Sequence, residues 1–267
     1  MLSDYLAQWE QPSHSRKKVN VDNLGLVFIS ETVGTAMLLL LGGGVVANAI
    51  LKGTKGNGGG WLLINFGWGL AVFTGVLVSV YSGAQINPAV TLGLIVNGLM
   101  EGATIPWGAY AVSLVGQMLG AFIGATLMWV VYKDHIDAEE DPGKKLGIFS
   151  TGPEIRNYGL NFVTEVIATF VLVFAILSFG LAGNEVSTFT GLAVALIVIS
   201  IGASLGGPTG YAINPARDLG PRIAHAILPI KGKGSSDWSY SWVPVFGPLL
   251  GGALAGVLAP VLLIAAA

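Results

Sequence analysis

Ser82-Gly83-Ala84-Gln85-Ile86-Asn87-Pro88-Ala89-Val90-Thr91 contains a tripeptide, Asn87-Pro88-Ala89, that returns as Asn214-Pro215-Ala216 inside Gly210-Tyr211-Ala212-Ile213-Asn214-Pro215-Ala216-Arg217-Asp218. Each copy reads as the start of a helix. Asn is a favoured N-cap because its side-chain oxygen accepts a hydrogen bond from a free amide of the first turn. Pro suits the first helical position, where its missing N–H costs nothing. The apolar segments that begin there, residues 87–99 and 214–228, hold about a dozen residues each, enough to cover roughly half of a ~30 Å hydrocarbon layer. Two such starts imply two half-helices whose positive ends meet inside a membrane and together form one composite crossing.

The composition agrees. The 267-residue chain is 53% hydrophobic and 10% charged, with a mean hydropathy of +0.71, values that belong to an integral membrane protein. A net charge of −2 argues against nucleic acid as a partner. With no cysteine there is no disulfide, thiolate metal site or lipidated Cys, and no His, Asp and Glu spacing suggests a metal or other cofactor. The 39 glycines suit membrane helices, which pack closely through small residues. Full-length apolar runs fall near residues 24–51, 61–81, 105–132, 161–181, 187–205 and 241–264.

These runs fall into two similar halves. Each has a span with one glutamate (Glu31, then Glu165), a second span, a small-residue loop, Asn-Pro-Ala, a half-helix and a closing span. Three full crossings per half is an odd number, so the repeats must lie in opposite orientations. The expected architecture is an all-α membrane protein of six transmembrane helices plus two re-entrant half-helices in an inverted 3+3 repeat. Residues 1–23 form a cytoplasmic segment, placed there by Arg16-Lys17-Lys18. Residues 24–132 form the first repeat, 133–158 a long extracytoplasmic loop, and 159–267 the second repeat. Six crossings return the C-terminus to the cytoplasm.

In the two quoted stretches the chain resembles the aquaporin superfamily (the major intrinsic proteins), and more narrowly its glycerol-facilitator, or aquaglyceroporin, branch. The likeness runs over nearly the whole chain. It implies a passive channel in the plasma membrane for glycerol and related small uncharged solutes, also passing water while excluding ions and protons. It further implies a homotetramer in the lipid bilayer, and no enzymatic activity. Asp218, directly after Arg217, matches the glycerol branch, as does Pro244 in the last span.

The resemblance assigns roles to particular residues. Asn87 and Asn214 turn their amide nitrogens to the lumen, with Pro88, Ala89, Pro215 and Ala216 completing the two motifs. Arg217 is the filter arginine; a guanidinium at membrane depth marks function unless it reaches the surface. The other filter walls are Gly202, Tyr211 and, from the second span, Trp68; the spacing from Trp68 to Asn87 is one residue short of the family's, and an ungapped alignment would put Gly67 there instead. Carbonyls of Gly83, Ala84, Gln85, Thr209, Gly210 and Ala212 form a ladder of acceptors. Gln85 stands where the family mostly has histidine. Glu31 and Glu165 each hold a re-entrant loop through its backbone, because non-helical chain at membrane depth must be satisfied by something.

Other readings stay open on the residues alone. One is a water-selective channel, or one for urea, dihydroxyacetone or undissociated lactic acid. Another is a proton-coupled transporter using Glu31 and Glu165 as relay groups.

Overall fold

The computed structural model describes residues 23–181 and 188–264, which are helical throughout apart from turns and loops. The helices are α1 (Leu24–Ile50), α2 (Gly60–Val78), α3 (Pro88–Met100), α4 (Trp107–Val131), α5 (Lys133–Ala138), α6 (Pro142–Phe149), α7 (Tyr158–Leu181), α8 (Thr188–Leu205), α9 (Pro215–Ile227) and α10 (Trp242–Ile264). Five of them, α1, α2, α4, α7 and α10, are long and apolar enough to cross a membrane. Described from residue 188 on, α8 is a shorter apolar helix that stands, in chain order, where the fifth of the six expected spans falls. Arg16-Lys17-Lys18 and the expected start of the fifth span at Ser187 lie outside the described residues.

Three helices begin with an acceptor side chain followed by Pro. Asn87 caps α3 by accepting from the Ala89 amide at 2.8 Å. Asn214 caps α9 through the amides of Ala216 and Arg217, and Asp141 caps α6 through the Gly143 amide. The α7 span begins three residues earlier than expected. The Asn157 side chain accepts from the Leu160 amide, while Asn161 reaches back to accept from the Asn157 amide. Conversely α2 stops early, at Val78, where Ser79 turns its hydroxyl onto the Gly75 carbonyl and a 3-10 turn, Val80–Ser82, begins the re-entrant loop.

The 133–158 connection is more ordered than a plain loop. It contains α5 and α6, whose Ile136, Ile148 and Phe149 are buried. Between them the Glu139 carboxylate accepts from the amides of Asp141 and Glu140, and those bonds, the Asp141 amide foremost, hold it below the usual carboxylate range.

The halves pack alike, with α1 against α4 and α7 against α10. Gly116, Gly120 and Gly124, at helical spacing on α4, face the Phe28, Thr32 and Ala36 carbonyls of α1; a Cβ at Gly120 would stand 2.3 Å from the Thr32 oxygen. Gly251 of α10 meets the Val166 carbonyl of α7 at the same 2.3 Å. Such small-residue stripes let helix backbones approach without side-chain packing between them. We expect Gly120→Val to separate α1 from α4 and leave little monodisperse protein on size exclusion in detergent. Gly147→Ala, whose Cβ meets nothing within 4 Å, should elute normally. The outer surface exposes Ile29, Phe66, Leu70, Val163, Ile167 and Leu196, a band whose natural solvent is lipid.

Candidate functional site

The site is built where the two loops meet. Before Asn87 the backbone is left-handed at Gly83, Ala84 and Ile86; before Asn214 it is left-handed at Gly210, Tyr211 and Ile213. Non-glycine residues rarely adopt that conformation, and each costs about 1–3 kcal/mol unless its surroundings impose it. Here the surroundings are carboxylates. Glu31 accepts from the amides of Gln85 (3.0 Å) and Ile86 (2.7 Å), and Glu165 from those of Ala212 (3.0 Å) and Ile213 (2.9 Å). The Ser82 and Thr209 hydroxyls complete the match, each donating to its carboxylate. Both glutamates are fully buried, and neither lines either of the two cavities described below.

The first loop has a further brace that sequence reading missed. Gln117 of α4 donates to Glu31 at 2.8 Å and to the Thr91 hydroxyl at 3.0 Å, and Thr91 donates to the Gln85 side chain at 2.6 Å. Its signal was available, since an uncharged polar side chain in an apolar span needs a partner as a glutamate does.

The half-helices meet tip to tip. The Asn87 amide donates to the Ile213 carbonyl at 2.8 Å, and the Asn214 amide donates to the Ile86 carbonyl at 2.9 Å. Each side-chain NH2 has two hydrogens, so one remains for the adjoining chamber, whose wall includes both asparagines.

That chamber, about 250 Å³, is lined by Gly83, Ala84, Gln85, Ile86 and Ala212 together with apolar side chains such as Leu38, Val72 and Val198. A second cavity of about 410 Å³ lies between it and the 133–158 connection, bounded by Trp61, Ser150, Thr151, Glu154 and Gly210. Three residues wall both spaces: Trp68, Tyr211 and Arg217. The Arg217 guanidinium sits 4.0 Å from the centre of the Trp68 ring, a cation–π contact, and donates to the Phe149 carbonyl at 3.3 Å.

Two expected walls stand elsewhere. Gly67 borders neither cavity, and a Cβ there would run into Val45. Gly202 also borders neither; the Tyr211 ring fills the space its side chain would take, 2.6 Å from an ideal Cβ. Among the expected ladder residues, Thr209 is fully buried and borders neither cavity, and its hydroxyl donates to Glu165.

Behind Arg217 lies a second polar layer. Asp218 accepts from the amide and hydroxyl of Thr151, both at 2.7 Å, and pairs with Arg222 at 2.8 Å. Arg222, fully buried, spends its remaining donors on the carbonyls of Ser236, Asp237 and Thr151. His225 contacts the Ser236 hydroxyl through Nδ1. This layer ties the 133–158 connection to the first turns of α9. Pro244 is buried in the first turn of α10, where its missing N–H costs nothing. Among the described residues no group of His, Asp and Glu side chains is placed to hold a metal ion.

Residues 19–259 match the family model described as major intrinsic protein. The chain is 52% identical, over 83% of its length and 92% of the relative's, to a probable glycerol uptake facilitator protein of Thermotoga maritima. It is 48% identical to the glycerol uptake facilitator protein of Bacillus subtilis, over 82% of this chain and 78% of that one. Among solved structures it resembles the aquaglyceroporin from Plasmodium falciparum, with a TM-score of 0.79, 31% identity, and coverage of 91% of this chain and 98% of that one.

Proposed function

The chain belongs to the major intrinsic protein family, and from that premise we propose that it is a passive channel for glycerol and related small uncharged solutes, passing water as well and holding back ions and protons. The observation that carries this reading is the wall shared by the two cavities: an arginine flanked by two aromatic rings. A polyol has a carbon side and a hydroxyl side. Trp68 and Tyr211 offer faces to the first, and the rigid guanidinium fork of Arg217 donates to neighbouring oxygens on the second. Deeper in, the free N–H of Asn87 and of Asn214 donates to the passing hydroxyl. Carbonyls of Gly83, Ala84, Gln85, Gly210 and Ala212 accept from it, which replaces the water that the solute sheds.

Ions meet a different field. Two helix N-termini and Arg217 all present positive charge to the passage, so a cation or hydronium is repelled while a neutral hydroxyl crosses. Glu31 and Glu165 hold loops in this reading. Their oxygens are committed to loop amides and hydroxyls, which disfavours a proton relay. We further propose four copies in the plasma membrane, each with its own passage and with both termini in the cytoplasm.

Stopped-flow swelling of proteoliposomes in a glycerol gradient tests the proposal. Glycerol should enter much faster than into empty vesicles, at a rate unchanged when a pH gradient is collapsed. Flux no faster than the empty control would refute the channel, and loss of flux on collapse would favour the coupled transporter. Parallel runs with urea, dihydroxyacetone and lactic acid rank the solutes.

A further inference from the structure

Along one face of α2, Trp61, Asn65 and Trp68 stand one turn apart, and all three converge on Tyr211 and its neighbours. Trp61 meets the Tyr211 ring edge-on, with centroids 5.7 Å apart, and its indole N–H donates to the Gly202 carbonyl at 3.0 Å. Gly202 and Gly206, one turn apart on α8 and just beyond it, leave a notch that the Tyr211 ring fills. Asn65 reaches the same notch from α2. An ideal Cβ on Gly202 would lie 2.4 Å from the Asn65 Oδ1 and 2.8 Å from the Tyr211 hydroxyl, so the two oxygens share that space. Both atoms are buried, and neither has a hydrogen-bond partner among the described residues.

A buried amide oxygen and a buried phenol left unpaired in an apolar setting are both costly, and each is the complement the other lacks. The phenol can donate and accept, so either orientation of the amide serves. We propose that Asn65 is a positioning residue for the constriction: the Tyr211 hydroxyl is anchored on the Asn65 side chain across the Gly202 notch, directly or through one water. The anchor turns the hydroxyl away from the lumen, leaves the ring face as the pore wall, and fixes the gap between Tyr211 and Arg217. Selectivity thereby depends on a residue that lines neither cavity. The inference rests on the channel reading above only for its consequence; the contact itself does not depend on it.

A double-mutant cycle tests it, with Tyr211→Phe, Asn65→Leu and the pair, in two readouts. Tyr211→Phe removes only the hydroxyl and should fold. In proteoliposomes each single change should shift the ratio of glycerol to erythritol permeability by about two- to fivefold, the scale of one hydrogen bond, and the pair should shift it no further than either alone. A ratio is independent of how much channel is inserted, so a merely structural loss would not move it. In detergent, the thermal midpoints of the four proteins should be likewise non-additive. Additive shifts in both readouts, or an unchanged ratio in Tyr211→Phe, would overturn the anchor. Absent glycerol flux in the unsubstituted protein would refute the channel instead, and the thermal cycle would still decide the contact.

Discussion

Arg217→Val should make the channel wider and less discriminating, with ribitol permeability rising about tenfold relative to glycerol in swelling assays. The expectation follows from what the side chain does at once. It closes one side of the wall shared by both cavities, lies over the Trp68 ring, and is 7% exposed. Valine keeps an apolar branch but removes the fork and opens a gap where it stood. The charge matters separately. A guanidinium about 4 Å from a passing monovalent cation repels it by about 4 kcal/mol at an effective dielectric constant near 20. Cation leak measured in planar bilayers should therefore rise in the variant. It should stay well below that of an open pore, because the caps of α3 and α9, Asn87 and Asn214, still line the chamber. Unchanged relative permeabilities of water, glycerol and ribitol would remove Arg217 from the proposed filter.

Glu165→Leu should abolish function through the fold. The change strands the Thr209 hydroxyl and the Ala212 and Ile213 amides at a depth where no water replaces the lost acceptor. At about 1–3 kcal/mol per unpaired buried group, the loss is of the order of 5 kcal/mol, comparable to the whole stability of many domains. Thermal unfolding in detergent should shift sharply downward. Glu165→Gln should be intermediate, since one oxygen still accepts while its NH2 faces amides that are themselves donors. A relay role makes the opposite forecast: Leu would preserve the loop, and Gln would preserve flux but lose its pH coupling. Wild-type stability in Glu165→Leu is the result that would unseat the loop-holding assignment.

The elements most legible in the sequence were those whose chemistry is local. Asn-Pro pairs announce a cap and a first turn within three residues, so both half-helices could be placed closely. Lone carboxylates in apolar spans announce that something must be donated to them, and the matching positions of Glu31 and Glu165 pointed to the loops. What escaped depends on partners far along the chain. The left-handed backbone at Ala84, Ile86, Tyr211 and Ile213 has no residue signature, because it is imposed by glutamates on other helices. The choice between Trp68 and Gly67 hung on spacing along one helix, whereas what sets the two apart in the structure is contact with distant residues: Trp68 lies against Arg217 and borders both cavities, and Gly67 faces Val45. Helices α5 and α6 have six and eight residues, too few for apolar periodicity to show. They form because the neighbouring helices bury Ile136, Ile148 and Phe149. Gly202 borders neither cavity because the room left by its missing side chain is taken by the Tyr211 ring, a partner nine residues on that no local pattern announces.

The reciprocal bonds at the midplane, Asn87 to Ile213 and Asn214 to Ile86, bear on how the protein is made. Synthesis delivers the first half long before the second, and until Ile213 arrives the Asn87 amide has no acceptor across the junction. The earlier loop therefore waits, incomplete, for a segment that leaves the ribosome more than a hundred residues later. The two bonds that join the loops can therefore form only after both halves have been made, since each takes its donor from one half and its acceptor from the other.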